Sequence, residues 1–209
     1  TLVDKLKALS DPRLAVYAQL PTDESVITYV GAANGLSNSE ANNQGFAKTS
    51  KPGTYFLTSE SPAVILSYAE VQFSLAEAVA RGFISGNADT YYKEGITASL
   101  KQFGVTDATV IATYLSQPAV LYNAANYKES IGLQKWIAFY GQGLDAFAEW
   151  RRLDYPQLTA GVSTVLDGKM PSRFFYPGTE QSLNGINYQL AVSSQGPDLL
   201  TTRLWFDVN

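Results

Sequence analysis

"SPAVILSYAEVQFSLAEAVARGFISGNADTYYKEGITASLKQFG", residues 61–104, carries the clearest periodicity in the chain. Ser61 followed by Pro62 predicts a helix start, with the serine as N-cap and the proline at the first helical position, where its missing N–H costs nothing. Tyr68, Val71, Leu75 and Val79 then recur along one face, and Ile65, Ala69, Phe73, Ala76 and Ala80 along another. Two apolar faces predict a helix buried between partners. Gly82 and Gly86 close it, and Asn87 is placed to cap a second helix carrying Tyr91, Tyr92, Ile96, Leu100 and Phe103 as far as Gly104.

This pair resembles one tetratricopeptide-type hairpin. Leu75, Ala76 and Val79 on the first helix and Ala88, Tyr92 and Gly95 on the second fall where small residues let helices approach and a large ring fills the gap. Such repeats need about three copies to form a stable solenoid, so further copies are expected upstream.

Outward from the hairpin, helical signals dominate. Leu2, Val3, Leu6 and Leu9 predict a short amphipathic helix ended by "SDPR" at residues 10–13. A third helix is expected over 107–116, stopped by Pro118. Another is expected over 126–140, with Leu133, Trp136, Ile137 and Tyr140 buried, and helix resumes over 144–152 after Gly141 and Gly143. Strands are expected at "RLAVYAQL", residues 13–20, and at "TRLWFD", residues 202–207. The class is mainly α: a tetratricopeptide-like hairpin over 62–104, further helices, long irregular loops and a few short strands. Residues 21–61 are rich in Gly, Asn, Ser and Thr with interspersed rings and no sustained period, and residues 126–209 end in a loop-rich tail. Loops of such length tend to be functional.

Composition excludes several chemistries. The 209 residues are 45% hydrophobic and 16% charged, which suits a globular chain with one substantial core. A net charge of -4 opposes a nucleic-acid partner, which needs clustered Lys and Arg. The chain has no cysteine and no histidine, so thiolate chemistry, the usual zinc sites and the usual general base are unavailable. No metal site and no cofactor is assigned. "GQGLDAF", residues 141–147, follows a helix rather than a strand and lacks a third glycine, so it is not a dinucleotide loop. No apolar run approaches the roughly 18 to 20 uncharged residues of a membrane-spanning helix. Thr1 leads straight into helix, so the chain is expected to be part of a longer protein, with any export signal or lipid anchor upstream.

A more specific pattern lies toward the end. "LQKWIAFYGQGLDAFAEWRRLDYPQL" (133–158), then "GKMPSRFFYPGTEQSLNGINY" (168–188) and "RLWFD" (203–207), resembles the C-terminal part of the SusD/RagB family of outer-membrane nutrient-binding lipoproteins. The matching positions are Gln134, Lys135, Trp136, Gly143, Trp150, Arg151, Arg152, Pro171, Arg173, Tyr176, Pro177, Glu180 and Asn184. "YAEVQFSLAEAVARG" (68–82) and "TYVGAANGL" (28–36) are also similar to family segments. The resemblance implies a SusD-like fold and a single domain. It also implies a lipoprotein on the outer face of the outer membrane that binds glycans or other oligomers without catalysis and hands them to a TonB-dependent, SusC-like transporter. A helical-repeat module that binds only protein is the alternative.

On this reading the aromatic "PSRFFYPGTEQSLN", residues 171–184, is architectural, with Glu180 the expected partner of Arg173 and with Phe174, Phe175 and Tyr176 covering helix ends. The same role is expected of Trp136, Trp150, Arg151, Arg152, Tyr176 and Asn184. Ligand contacts are expected in the early loop. Sugars need flat rings for stacking and fixed amides for hydrogen bonds, and Tyr29, Phe46, Tyr55 and Phe56 supply rings while Asn34, Asn38, Asn42 and Asn43 supply amides. The competing expectation is that the rings pack inward and the asparagines serve left-handed turns. Asp145 and Glu149, four apart and running toward Arg152, are expected to form a solvated ion-pair face rather than a hydrolytic pair.

Overall fold

The hairpin forms, but later than Ser61. In the computed structural model, which describes residues 1–161 and 166–207, its helices are α4 (Tyr68–Ala80) and α5 (Ala88–Gln102). Ser67 caps α4, its hydroxyl accepting the Glu70 N–H at 3.1 Å, and the Pro62 segment stays outside any helix. The Ser-x-x-Glu spacing at Ser67 places an acid in the first turn, which Ser61 does not have, and this favours the later start. Asn87 caps α5 as expected, accepting from Thr90 N at 3.2 Å. The second expectation for α4 also changes. Ala69, Phe73 and Ala76 are buried, whereas Tyr68 and Val71 face outward, so the helix has one core face and one open one. Gly95 explains how closely the pair fits: a Cβ there would stand 2.8 Å from the Phe73 ring.

The remaining helices are α1 (Leu2–Ala8), α2 (Leu14–Tyr17), α3 (Asn38–Gln44), α6 (Ala108–Leu115), α7 (Tyr127–Ala138), α8 (Gly143–Leu153), α9 (Gly178–Leu183) and α10 (Gly185–Gln195). Helix α7 lies against both α4 and α5, and α8 folds back on α7. Ile131 and Ile137 join Phe73, Tyr92, Ile96 and Leu100 in the core. Tyr92 satisfies its hydroxyl by donating to Val120 O at 2.8 Å.

Residues 13–20 do not form the expected strand. Arg13 is fully buried and directs its guanidinium to Asp11 (2.6 and 2.9 Å), Ser99 (2.9 Å) and Gln134 (3.0 Å), while the Tyr114 hydroxyl donates to Asp11 at 2.6 Å. A buried charge needs this set of partners, and the single turn of α2 lets Tyr17 also reach Ile137 O at 3.0 Å. Burial alone would lower the Arg13 pKa, but Asp11 outweighs it and the net shift is upward. The second expected strand is likewise replaced by irregular chain and turns. Among the described residues the only extended pairing is the isolated bridge of Ala18 with Pro52. The tail holds more helix than its composition suggested, in α9 and α10, whose Leu183, Ile186 and Leu190 are exposed.

Candidate functional site

The long loop closes against the core through a 3-10 turn at Thr54–Phe56. Gly53 is buried there and donates its N–H to Tyr17 O at 2.9 Å, which sets the direction of the two following rings. Phe56 meets Tyr140 edge-on with centroids 4.8 Å apart, and Tyr55 meets Phe103 at 5.3 Å. Tyr17 stacks on Tyr140 at 4.5 Å from behind. These contacts rule out a free coplanar platform, because most of the rings are edge to face; they instead build a rigid aromatic wall.

That wall lines a cleft of about 280 Å³, bordered also by Ser61, by Gln102 at the end of α5 and by Gln142 just before α8. Gly141 turns the chain at φ +91°, a conformation disfavoured for any residue with a Cβ, and so brings Gln142 to the rim. The Gln102 side chain makes no hydrogen bond within the described residues. Gln142 reaches Asp145 only at 3.5 Å. Burial raises the pKa of Tyr140, which keeps its hydroxyl protonated and able to donate. An aromatic wall with two amides at its edge fits a neutral ligand that has both CH faces and hydroxyls.

The eight residues expected to bind ligand are not brought together. Tyr55 and Phe56 form the cleft wall, half-buried rather than open. Asn34 lines a different hollow, of about 290 Å³, with Lys51 and Pro52. Phe46, 74% exposed, borders a third of about 220 Å³ with Leu36 and Gln44. Asn38, Asn42 and Asn43 are exposed on α3, a helix rather than left-handed turns, and Tyr29 is half-buried with its carbonyl accepting from Lys7 Nζ at 3.0 Å. Gln102, Gln142 and Tyr140 were not anticipated as a site. Tyr140 carries a core periodicity, and the one local signal for Gln142 is its place between two glycines.

The residues of the aromatic and basic motifs hold the helices together. Arg152 binds Glu77 of α4 through both terminal nitrogens and Glu149 at 2.6 Å, and Lys135 of α7 reaches Glu149 at 3.1 Å. At Glu149 and Arg152 this network is partly buried rather than the solvated face expected, whereas Asp145 is exposed and stands outside it. Burial pushes the Glu77 carboxyl up, but Arg152, Lys135 and Arg81 outweigh it and hold its pKa below the ordinary value. Trp150 donates to Pro156 O at 3.1 Å, and Trp136 packs half-buried against the core. The Arg151 guanidinium lies over the Phe147 ring at 4.3 Å and donates to Ser172 O at 3.0 Å.

Arg173 does not pair with Glu180. It binds Asp198 at 2.7 Å, with its guanidinium 4.6 Å above the Tyr176 ring, because α10 returns the chain to this point. Glu180 instead accepts from Asn184 within its own helical turn, at 2.8 Å. Phe174 and Phe175 are largely exposed rather than covering helix ends, although Phe174 touches Phe147 edge-on at 5.8 Å.

Several solved structures share this fold. A chitin-binding protein matches at 32% identity and TM-score 0.86, over 100% of this chain and 49% of its own. A SusD homolog from Bacteroides fragilis matches at 27% and 0.84, covering 99% of this chain and 51% of that one. A chitin-binding SusD homolog from Flavobacterium johnsoniae matches at 27% and 0.81, covering 98% and 48%. The chain therefore spans about half the length of the structures it resembles. No curated protein matches it. The model of the SusD-like family described as starch-binding and associating with the outer membrane matches residues 1–177, most of the sequence, and the chain belongs to that family.

Proposed function

We propose that the chain is the C-terminal portion of a non-catalytic, cell-surface glycan-binding protein that hands its ligand to a TonB-dependent, SusC-like transporter. Family membership supports glycan binding and outer-membrane association. Among the described residues no helix is long and apolar enough to cross a membrane. A lipid anchor carried by another part of the protein is the proposed attachment. The observation that carries the reading is the cleft where Tyr55, Phe56 and Tyr140 stand beside the Gln102 and Gln142 amides. Apolar sugar faces pack against the aromatic wall, hydroxyls exchange hydrogen bonds with the amides, and no bond in the ligand changes. A few neutral hydrogen bonds and ring contacts give modest affinity, which suits transfer to a partner.

Isothermal titration with soluble starch-derived and chitin-derived oligosaccharides tests this. Saturable binding is expected, weakened roughly tenfold by Gln102→Ala and unchanged by Phe46→Ala, the loss of one neutral hydrogen bond plus an unpaired ligand hydroxyl being about 1 to 2 kcal/mol. Loss in Phe46→Ala alone would move the site to the 220 Å³ hollow. A second reading, a protein-docking module, rests on the exposed Leu183, Ile186 and Leu190 of α9 and α10. It is favoured if no oligosaccharide binds.

A further inference from the structure

The cleft does not stand alone. On one side, Tyr55 and Pro62 also line a shallow hollow of about 590 Å³ with Thr58, Ser59 and Glu60. On the other side, Gln102 is shared with a groove of about 400 Å³ that runs along the surface of α4 and α5. The chain from Ser61 to Tyr68 joins the two ends: Ser61, Pro62, Ala63 and Val64 edge the cleft, and Tyr68 opens the groove. Three depressions thus lie in sequence, with shared residues at both junctions.

We propose that the groove holding Tyr68, Glu94, Thr97 and Lys101 is a second saccharide subsite, continuous with the cleft through Gln102, so that the protein takes an internal stretch of an oligosaccharide rather than a chain end. The inference rests on the glycan reading of the cleft. The α5 residues Glu94, Thr97, Ala98, Lys101 and Gln102 follow spacings of three, one, three and one, which sets them in a single stripe on one helix face. Tyr68 stands beside this stripe with 63% of its surface exposed, the open ring that the cleft itself lacks. Neither the Glu94 carboxylate nor the Lys101 ammonium has a side-chain partner among the described residues, and two turns of helix separate them. One accepts and the other donates hydrogen bonds, and sugar hydroxyls do both, so saccharide units lying along the groove from Tyr68 meet both kinds of partner. Because the cleft shares lining residues with a depression at each junction, it is the middle of a longer track, and a ligand lying along that track presents no terminus to the cleft.

Titration of the chain with starch-derived and chitin-derived oligosaccharides, from disaccharide to hexasaccharide, decides this. Affinity is expected to rise with length beyond the disaccharide in whichever series binds, and to be unaffected when the reducing end is converted to the alditol. Tyr68→Ala, on an exposed side chain outside the core, should weaken the hexasaccharide roughly tenfold and leave the disaccharide unchanged. Gln102→Ala should weaken both. A plateau at the disaccharide, or a hexasaccharide indifferent to Tyr68→Ala, overturns the second subsite while leaving the cleft intact. Equal losses for both lengths in Tyr68→Ala would place that ring in the cleft and also overturn it. Sensitivity to the alditol end would contradict internal recognition. If no oligosaccharide binds at any length, the glycan reading itself fails and this inference falls with it.

Discussion

Two residues set much of the packing through charge rather than area. Arg13 lies wholly inside, yet its hydrogen bonds reach Asp11, Ser99 of α5 and Gln134 of α7, so one side chain fixes three parts of the fold. Removing either member of such a pair strands the other charge, which costs about 3 to 5 kcal/mol. Arg13→Met is therefore expected to lower stability in urea titration by that amount, while Arg13→Met combined with Asp11→Leu should recover much of it. This site was not legible in the sequence: "RLAVYAQL" reads as a strand because its residue types are visible locally and a partner 121 positions away is not.

Glu77 is the second such residue. Its pKa is held below the ordinary 4.5, so its stabilising contribution is present in full above that value and is lost as pH falls through the depressed folded-state pKa. Glu77→Gln should accordingly reduce stability at neutral pH and flatten the acid limb of a stability–pH curve. A curve of unchanged slope below pH 4.5 would show that the Arg152 contact does not hold this carboxylate ionised.

At the scale of elements, the start of α4 separates two sequence signals. Both Ser61 and Ser67 are acceptable N-caps, and Pro62 strengthens the first, but an acid three residues on strengthens the second. The structure uses Ser67. Ser67→Ala should cost about 1 kcal/mol in thermal or urea unfolding, whereas Ser61→Ala should be close to silent. The reverse order would put the helix start back at Pro62. Helix α5 was simpler to read, since Asn87 is the one capping side chain between Gly86 and the apolar period. Helices α9 and α10 were missed for a physical reason: neither buries a residue, so neither shows the apolar stripe by which a helix is recognised in sequence.

For the whole molecule, the mainly helical class and the family were readable because periodicity and the ordered Trp, Arg and Pro motifs are both properties of linear sequence. The site was readable only in part. Tyr55 and Phe56 stand in a loop whose composition draws attention, but Gln102 ends one helix, Gln142 precedes another, and Tyr140 has the spacing of a core ring. Only the packing of α5 against α7 and the closure of the loop at Gly53 make them neighbours. Asn38, Asn42 and Asn43, by contrast, stand on a separate exposed helix, and Asn34 lines a different hollow.

The central claim is that glycan is captured at the cleft between the loop and the helices. Its most direct test follows the side-chain amide resonances of Gln and Asn by nitrogen-15 NMR during titration with an oligosaccharide. Large, saturable shifts of the Gln102 and Gln142 side-chain signals, with those of Asn38, Asn42 and Asn43 unmoved, are the predicted result. Shifts confined to the α3 asparagines, or none at saturating ligand, would contradict it.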